Sequence, residues 1–337
     1  MQSIICQQPG ELAFQDLSMP VTQAGEALLR VRRVGICGTD LHAYAGRQPY
    51  FTYPRILGHE LAAEVVSIQE NADGIQAGDR VSVIPYRHCG ACSACRRGLT
   101  NCCANLKVFG VHEDGGMRPY ITYPINLLLK NEGLGLDELA LVEPLAIGAH
   151  AVRRAGVTSG DIALVIGAGP IGIGIMKMAQ MAGALVMVMD INPQRLSFCE
   201  TAIGIPHTIK AGGQAIQHIQ ALIGGDLPNV VFDATGNKQA MESGANYVAH
   251  GGRYVLVGLS TENLSFHHPA IHAREMSLLC SRNATRADFE QVAAVLSARE
   301  FPSEAYISLR APFEDIPTSF AGWSRPEAGL IKVMTTW

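Results

Sequence analysis

The sequence carries no excess of basic residues: 26 Lys and Arg stand against 30 Asp and Glu, a formal net charge of −4. That balance excludes a general electrostatic attraction to nucleic acid or to an acidic membrane surface. Internal repeats and low-complexity tracts are absent too, which excludes solenoids and compositionally disordered tails. The first residues, MQSIICQQPGELAF, contain no basic segment followed by a long apolar stretch. No signal peptide is predicted, and a cytoplasmic, reducing setting is expected. Structural disulfides are not expected there, so the nine cysteines read as metal ligands and buried thiols. One apolar stretch, Ile162 to Ile191, has the length of a membrane span, but it contains Pro170, Lys177 and several glycines. It divides into strand, turn, helix and strand, as a buried parallel-sheet unit does.

The 337 residues are enough to bury two cores. The first third is rich in short strand-like runs, ALLRVRRVGI, ELAAEVVSI and DRVSVIPY, separated by Gly, Pro and Asp turn signals. After about residue 145 the texture changes. Apolar strand-like runs (IALVIG, LVMVMD, NVVFDATG, RYVLVG, MSLLCS) alternate with helical ones, including a helix predicted from about 170 to 182. Such alternation predicts a parallel, doubly wound sheet. From about 286 a helix, DFEQVAAVLSA, is followed by mixed structure. The fold class is α/β, with one domain inserted into the other or following it closely.

Gly167-Ala168-Gly169-Pro170-Ile171-Gly172 follows a strand-like run and opens a helix-like one, and Asp190 ends the next strand. Gly167 permits the tight turn, Gly169 lets a pyrophosphate approach the backbone, and Gly172 lets helix and strand pack closely. The helix N-terminus favours the phosphate charge. Asp190 is suited to accept hydrogen bonds from ribose hydroxyls and repels a 2′-phosphate, so NAD is expected rather than NADP. Arg195 is the caution, because an arginine nearby can serve a phosphate. Thr235, Gly258 and Ser281, at the ends of later strands, are further candidate cofactor contacts.

Residues 88–103 read HCGACSACRRGLTNCC. Cys89, Cys92, Cys95 and Cys103 have the spacing C-x2-C-x2-C-x7-C, which can close around a tetrahedral, structural Zn²⁺. Successive residues point in different directions, so only one of Cys102 and Cys103 is expected to bind, and spacing alone does not choose. The segment has two arginines and no aromatic residue, so it lacks a base-stacking platform. A closed zinc cannot catalyse. An open site could be built from Cys37 in GICGTDLHAY, His59 and Glu60 in ILGHELAAEVV, and Glu143 in LVEPLAIGAH. Each residue alone has a plainer reading, as a buried thiol, a core histidine or a surface carboxylate.

Taken together and in order, Cys37-Gly38-Thr39-Asp40, Gly58-His59-Glu60, Gly78-Asp79-Arg80-Val81, the four-cysteine lobe, Glu143-Pro144 and Gly167 to Gly172 resemble the zinc-dependent medium-chain dehydrogenases. The resemblance spans essentially the whole chain. It implies a GroES-like β-rich catalytic domain over 1–144 and 285–337, with a Rossmann NAD-binding domain inserted at 145–284. It implies a structural zinc on Cys89, Cys92, Cys95 and Cys103, with Cys102 spare. A catalytic zinc would fall on Cys37, His59 and either Glu60 or Glu143. Asp40 would orient His59. Thr39 would accept the substrate proton and pass it through the cofactor ribose to His42; His42 alternatively is a surface histidine.

Within the family the likeness runs toward bacterial sugar-acid dehydrogenases, through GRQPYFTYPRILGHE, VFGVHEDGG and CSRNATRADF. That implies a substrate carboxylate and a cation to meet it, with Arg47, His112 and Arg282 as candidates. Polyol or threonine oxidation, or a catalytically silent NAD-binding regulator, are the competing readings; a homodimer or homotetramer is implied by analogy. One departure is local. Where the family often has Gly-Gly-Phe-Ser/Ala-Glu-Tyr, this chain has Gly115-Gly116-Met117-Arg118-Pro119-Tyr120, which puts the packing of that loop in question.

Overall fold

The computed structural model describes residues 1–325 and 329–337. The chain divides into two compact units, Met1–Pro144 with Thr285–Trp337, and Leu145–Ala284.

The first unit is a β-body organised on one long strand, Glu26–Ile36. Three strands pair with it antiparallel: Glu60–Ser67, then Tyr120–Pro124 against its first half, and Lys332–Thr336 against its last residues. The sheet runs in the order Ile307–Pro312, Lys332–Thr336, Glu26–Ile36, Glu60–Ser67, Arg80–Val83, Leu128–Lys130. Leu29, Val31, Val34, Leu61, Val65, Val81 and Val83 are buried along it, which is the branched, apolar composition that suits a pleated surface. The register matters for function. Gly35 lies opposite Glu60 on one side and Met334 on the other. A Cβ on Gly35 would sit 2.1 Å from Glu60 Oε2, so the absence of a side chain there is what lets the Glu60 carboxylate fold across the strand.

The departing loop, Gly115 to Pro119, packs by its backbone. Gly115, Gly116 and Met117 donate their N–H groups to the carbonyls of Ile56, Gly58 and Leu57, at 2.8, 2.9 and 3.0 Å. Met117 is fully buried, and the Pro119 carbonyl accepts from Val31 N at 2.9 Å. Proline costs nothing at a position used as an acceptor. The segment that delivers His59 is therefore braced by this loop.

The second unit is a six-stranded, all-parallel sheet in the order His207–Lys210, Leu185–Asp190, Ile162–Ile166, Val230–Asp233, Arg253–Leu256, Ser277–Cys280. That is the doubly wound order 3-2-1-4-5-6 of a Rossmann fold. One face packs Leu164, Ile166, Met187, Met189, Ile209, Val231, Tyr254 and Leu256 into a core. The Ile162–Ile191 stretch resolves into strand Ile162–Ile166, helix Pro170–Met181 and strand Leu185–Asp190. Among the described residues no helix is long and apolar enough to cross a membrane. The boundary between the units falls inside one helix, Leu136–Ala155. Its first turn carries Asp137 and Glu138 and its last Arg153 and Arg154, which complements the helix dipole. The sequence reading placed a change of texture there but did not read the helix.

Among the glycines of the second unit Gly172 has the least room, since a Cβ there would lie 1.8 Å from the Gly167 carbonyl oxygen. Gly172→Ala is expected to destabilise the protein by about 2 kcal/mol or more, seen as a lowered thermal midpoint. A melt indistinguishable from wild type would show that the loop relaxes without cost.

Candidate active site

Cys37 follows the last residue of the long strand and is the N-cap of helix Gly38–Tyr44. Asp40, at the third position of that helix and fully buried, accepts from Cys37 N at 3.0 Å through Oδ2 and from Gly58 N at 3.2 Å through Oδ1. One carboxylate thus ties the loop carrying Cys37 to the loop carrying His59. The same Oδ1 lies 3.6 Å from His59 Nδ1, a buried nitrogen that has no hydrogen-bond partner within normal range. The donor atoms of Cys37, His59 and Glu60 all lie within 4.8 Å of one another. Ligands around a tetrahedral zinc stand about 3.3–3.8 Å apart. A sulfur, a nitrogen and a carboxylate oxygen at this spacing fit that ion.

The surroundings are strongly charged for a buried site. Glu60 is fully buried, and both its oxygens accept from Lys332 Nζ, at 2.6 and 2.7 Å. Glu143 Oε1 accepts from the Tyr86 hydroxyl. Burial pushes the Glu143 carboxyl up to about 7, against the pull of His59. Burial pulls His59 down, but Asp40, Cys37 and Glu143 outweigh it and hold the imidazole well above its ordinary range. Lys332 follows the same pattern: burial lowers it, and the charges of Glu60, Tyr306 and Cys37 more than offset that. The three converging donors include Glu60 and not Glu143. Three residues here were missed in the sequence reading. Lys332 had one available signal, a lone charge in the apolar run LIKVM; Tyr86 and Tyr306 had none.

On the helix that starts after Cys37, half-buried Thr39 and exposed His42 stand one turn apart, on the same face. Partial burial and then the Arg47 charge hold His42 below its ordinary value. The four-cysteine lobe is a separate cluster. The sulfurs of Cys89, Cys92, Cys95 and Cys103 lie within 4.8 Å of one another, and exposed Cys102 is outside the group. The Cys89 and Cys103 sulfurs are 3.5 Å apart, close to the edge of a ZnS₄ tetrahedron, about 3.8 Å. Backbone N–H groups aim at these sulfurs: Cys89 N and Asn105 N at Cys103, and Cys92 N at Cys89. Such donors favour thiolates, and the backbone N–H groups of Cys95 and Ala104 draw Cys92 down to about 6.

In the second unit, Gly167 has φ +102° and Gly169 is the N-cap of the helix that begins at Pro170. Asp190 accepts from Ala168 N at 2.7 Å and from Asn192 N at 2.8 Å, and Arg195 Nη1 donates to Ala168 O at 3.1 Å. Asp190 and Arg195 therefore both flank the glycine loop. Thr235 donates its hydroxyl to Asp233 at 2.9 Å. Gly258 packs on the Gly236 backbone, where a Cβ would meet Gly236 N at 2.3 Å. The Ser281 hydroxyl is buried without a hydrogen-bond partner. All lie at the carboxyl ends of parallel strands, where this architecture binds ligands. The three candidate cations stand on separate elements. Arg47 is exposed beyond the Cys37 helix. His112 Nδ1 accepts from Val108 N at 3.0 Å. Arg282 is exposed and belongs to the other unit.

Family models match both units: an alcohol dehydrogenase GroES-like domain over residues 23–133 and a zinc-binding dehydrogenase domain over residues 170–298. The L-galactonate-5-dehydrogenase of Escherichia coli (strain K12) is 41% identical over 320 residues, covering 95% of this chain and 94% of that protein. This chain belongs to the zinc-dependent medium-chain alcohol dehydrogenase family. The 2-dehydro-3-deoxy-L-galactonate 5-dehydrogenase of Pseudoalteromonas atlantica is 32% identical, covering 91% of each chain. A solved alcohol dehydrogenase from Escherichia coli CFT073, complexed with NADH, superposes with a TM-score of 0.93 at 29% identity, over 100% of this chain and 99% of that one. The dehydrogenase is an enzyme of the class that oxidises a CH–OH group.

Protons and a metal compete for the same donors. His59 has a raised pKa, so it holds its proton to higher pH than usual, and metal affinity must fall as pH falls through this range. Zinc affinity measured against a competing chelator is expected to drop at least about tenfold from pH 8 to pH 6. Equal affinity at both values would mean that the metal does not displace a proton from His59.

Proposed function

We propose that the protein is a zinc- and NAD-dependent dehydrogenase that oxidises a secondary alcohol of a sugar acid, with L-galactonate to D-tagaturonate as the favoured reaction. The observation that carries the reading is the convergence of Cys37, His59 and Glu60 in a buried site. The substrate assignment is supported by the 41% identity to an L-galactonate-5-dehydrogenase. A cytoplasmic setting, in which thiols stay reduced, accords with a zinc lobe of four cysteines.

When bound, the zinc supplies Lewis-acid polarisation of the alcohol and the nicotinamide supplies the hydride acceptor. The residues do the rest. Cys37, His59 and Glu60 hold the metal, with Asp40 orienting the imidazole. Glu143, kept in place by the Tyr86 hydroxyl, is the reserve carboxylate beside them. Thr39 takes the hydroxyl proton and His42, one turn further on, carries it toward solvent. Cys89, Cys92, Cys95 and Cys103 hold a structural zinc. The Gly167–Gly172 loop and the start of its helix bind the pyrophosphate. Asp190 accepts from the ribose hydroxyls, which favours NAD over NADP. Thr235, Gly258 and Ser281 complete the rim at the strand ends, and Arg47 or His112 in the first unit, or Arg282 in the second, meets the substrate carboxylate.

The test is reduction of NAD and of NADP with L-galactonate, L-gulonate, D-gluconate, sorbitol, galactitol and L-threonine, before and after chelation. Zinc-dependent oxidation of L-galactonate with NAD is the expected result. Turnover confined to sorbitol or galactitol would move the protein to polyol oxidation. No turnover with zinc and NAD both bound would make it a silent relative. Thr39→Val is expected to lower kcat about 10²-fold or more while leaving zinc content unchanged; an unaltered kcat would remove Thr39 from the proton path.

A further inference from the structure

Lys332 is 1% exposed, a rare state for a lysine, which is almost never fully buried unless paired. All three of its N–H donors are engaged. Two go to the Glu60 oxygens at 2.6 and 2.7 Å, and the third meets the carbonyl of Ile36 at 3.2 Å. The sheet produces this contact. Lys332 opens the last strand, which pairs Val333 with Ile36 and Met334 with Gly35, while Gly35 faces Glu60 across its other edge. With no side chain on Gly35, the Glu60 carboxylate crosses above the central strand and reaches the ammonium on the far side. Among the described residues, no other group hydrogen-bonds to that carboxylate.

Glu60 also belongs to the cluster with Cys37 and His59. A carboxylate has about four lone-pair sites on its two oxygens. Lys332 occupies one on each and leaves the others for a metal. The same side chain is thus clamped from behind by a fixed cation while its front faces the neighbouring sulfur and imidazole.

We propose that Lys332 is a positioning residue of the reaction, acting through Glu60: it fixes that carboxylate as a preorganised zinc ligand and leaves Glu143 outside the direct set. The inference rests on the zinc reading above, which makes Glu60 a ligand, and goes beyond it by assigning the residue that holds that ligand in place. Lys332 touches neither substrate nor cofactor in this role. Partners that orient a metal ligand from behind are typically worth 10–100-fold in metal affinity.

The experiment loads the metal-free protein with Zn²⁺ and with Co²⁺ in wild type, Lys332→Met, Lys332→Arg, Glu60→Gln and the Lys332→Met/Glu60→Gln double variant. The four-cysteine lobe fills alike in all five and serves as internal standard for the second metal. Lys332→Met is expected to weaken the second zinc about 10–100-fold and to alter the cobalt ligand-field spectrum. Lys332→Arg restores both, because a guanidinium also grips two carboxylate oxygens. In the Glu60→Gln background the lysine substitution has no further effect, as required of two residues acting as one unit. Lys332→Met leaves a buried carboxylate without its cation and can fail to fold. The double variant and Lys332→Arg then carry the test, since neither strands a charge. Wild-type affinity and spectrum in Lys332→Met, or additive losses in the double variant, overturn the role of Lys332. A wild type that takes up metal only in the cysteine lobe overturns the zinc reading itself, and this inference with it.

Discussion

Buried negative charge is the constraint around which the first unit is organised. Asp40, Glu60 and Glu143 are all buried in one region, with His59 among them. Removing a carboxylate from water without compensation costs several kcal/mol, and the group then neutralises or finds a partner. Asp40 solves this with two backbone N–H donors, and Glu60 with an ammonium. Glu143 has a tyrosine hydroxyl and is pushed toward neutrality at about 7. Without a metal, Lys332 and a proton on His59 offset Asp40 and Glu60; once His59 gives up that proton and Cys37 binds as a thiolate, negative charge is in excess. A dication is the economical way to balance such a set, and the orphaned His59 Nδ1 beside Asp40 has the geometry of an imidazole held for a metal.

The second unit has the opposite character. Its glycine loop offers backbone N–H groups and a helix N-terminus, which attract anions, and the Asp190 carboxylate is engaged by the loop's own amide. Asp190 holding Ala168 N at 2.7 Å keeps an otherwise unsatisfied donor paired. Each carboxylate oxygen has a second lone pair, so a ribose hydroxyl that donates to Asp190 adds to the carboxylate's hydrogen bonds. The lobe of four cysteines differs from both. Its thiols lie nearer the surface and are steered by amide donors rather than by buried charge, which is what a closed structural site requires.

How much of this was legible in the sequence follows from how local each determinant is. The glycine loop, the cysteine spacing and the pairs Cys37 with Asp40 and His59 with Glu60 are each encoded within a few residues, and the structure draws on them through local elements. The parallel strands were readable because both faces are buried and their sequences run apolar. Lys332 and Glu60 are 272 residues apart, and only the register of the sheet brings them together. The same holds for Tyr86 against Glu143, and for the brace of Gly115 to Met117 on the segment before His59. A proline within LVEPLAIGAH concealed the helix Leu136–Ala155, since Pro144 reads as a break although the helix continues through it.

Gly35 shows what links these scales. By composition it is one glycine among 35, and in a strand it is a weakness, because it packs nothing and costs backbone entropy. Its position opposite Glu60 turns the weakness into a passage. Any side chain there would collide with the carboxylate, forcing Glu60 away from Lys332 and out of the cluster with Cys37 and His59. The empty face of one strand residue is therefore a condition for the charge pair, and through it for the position of the carboxylate beside the other donors. A local rule of strand formation is broken at the point where the site needs room, which is where such conflicts are expected to fall.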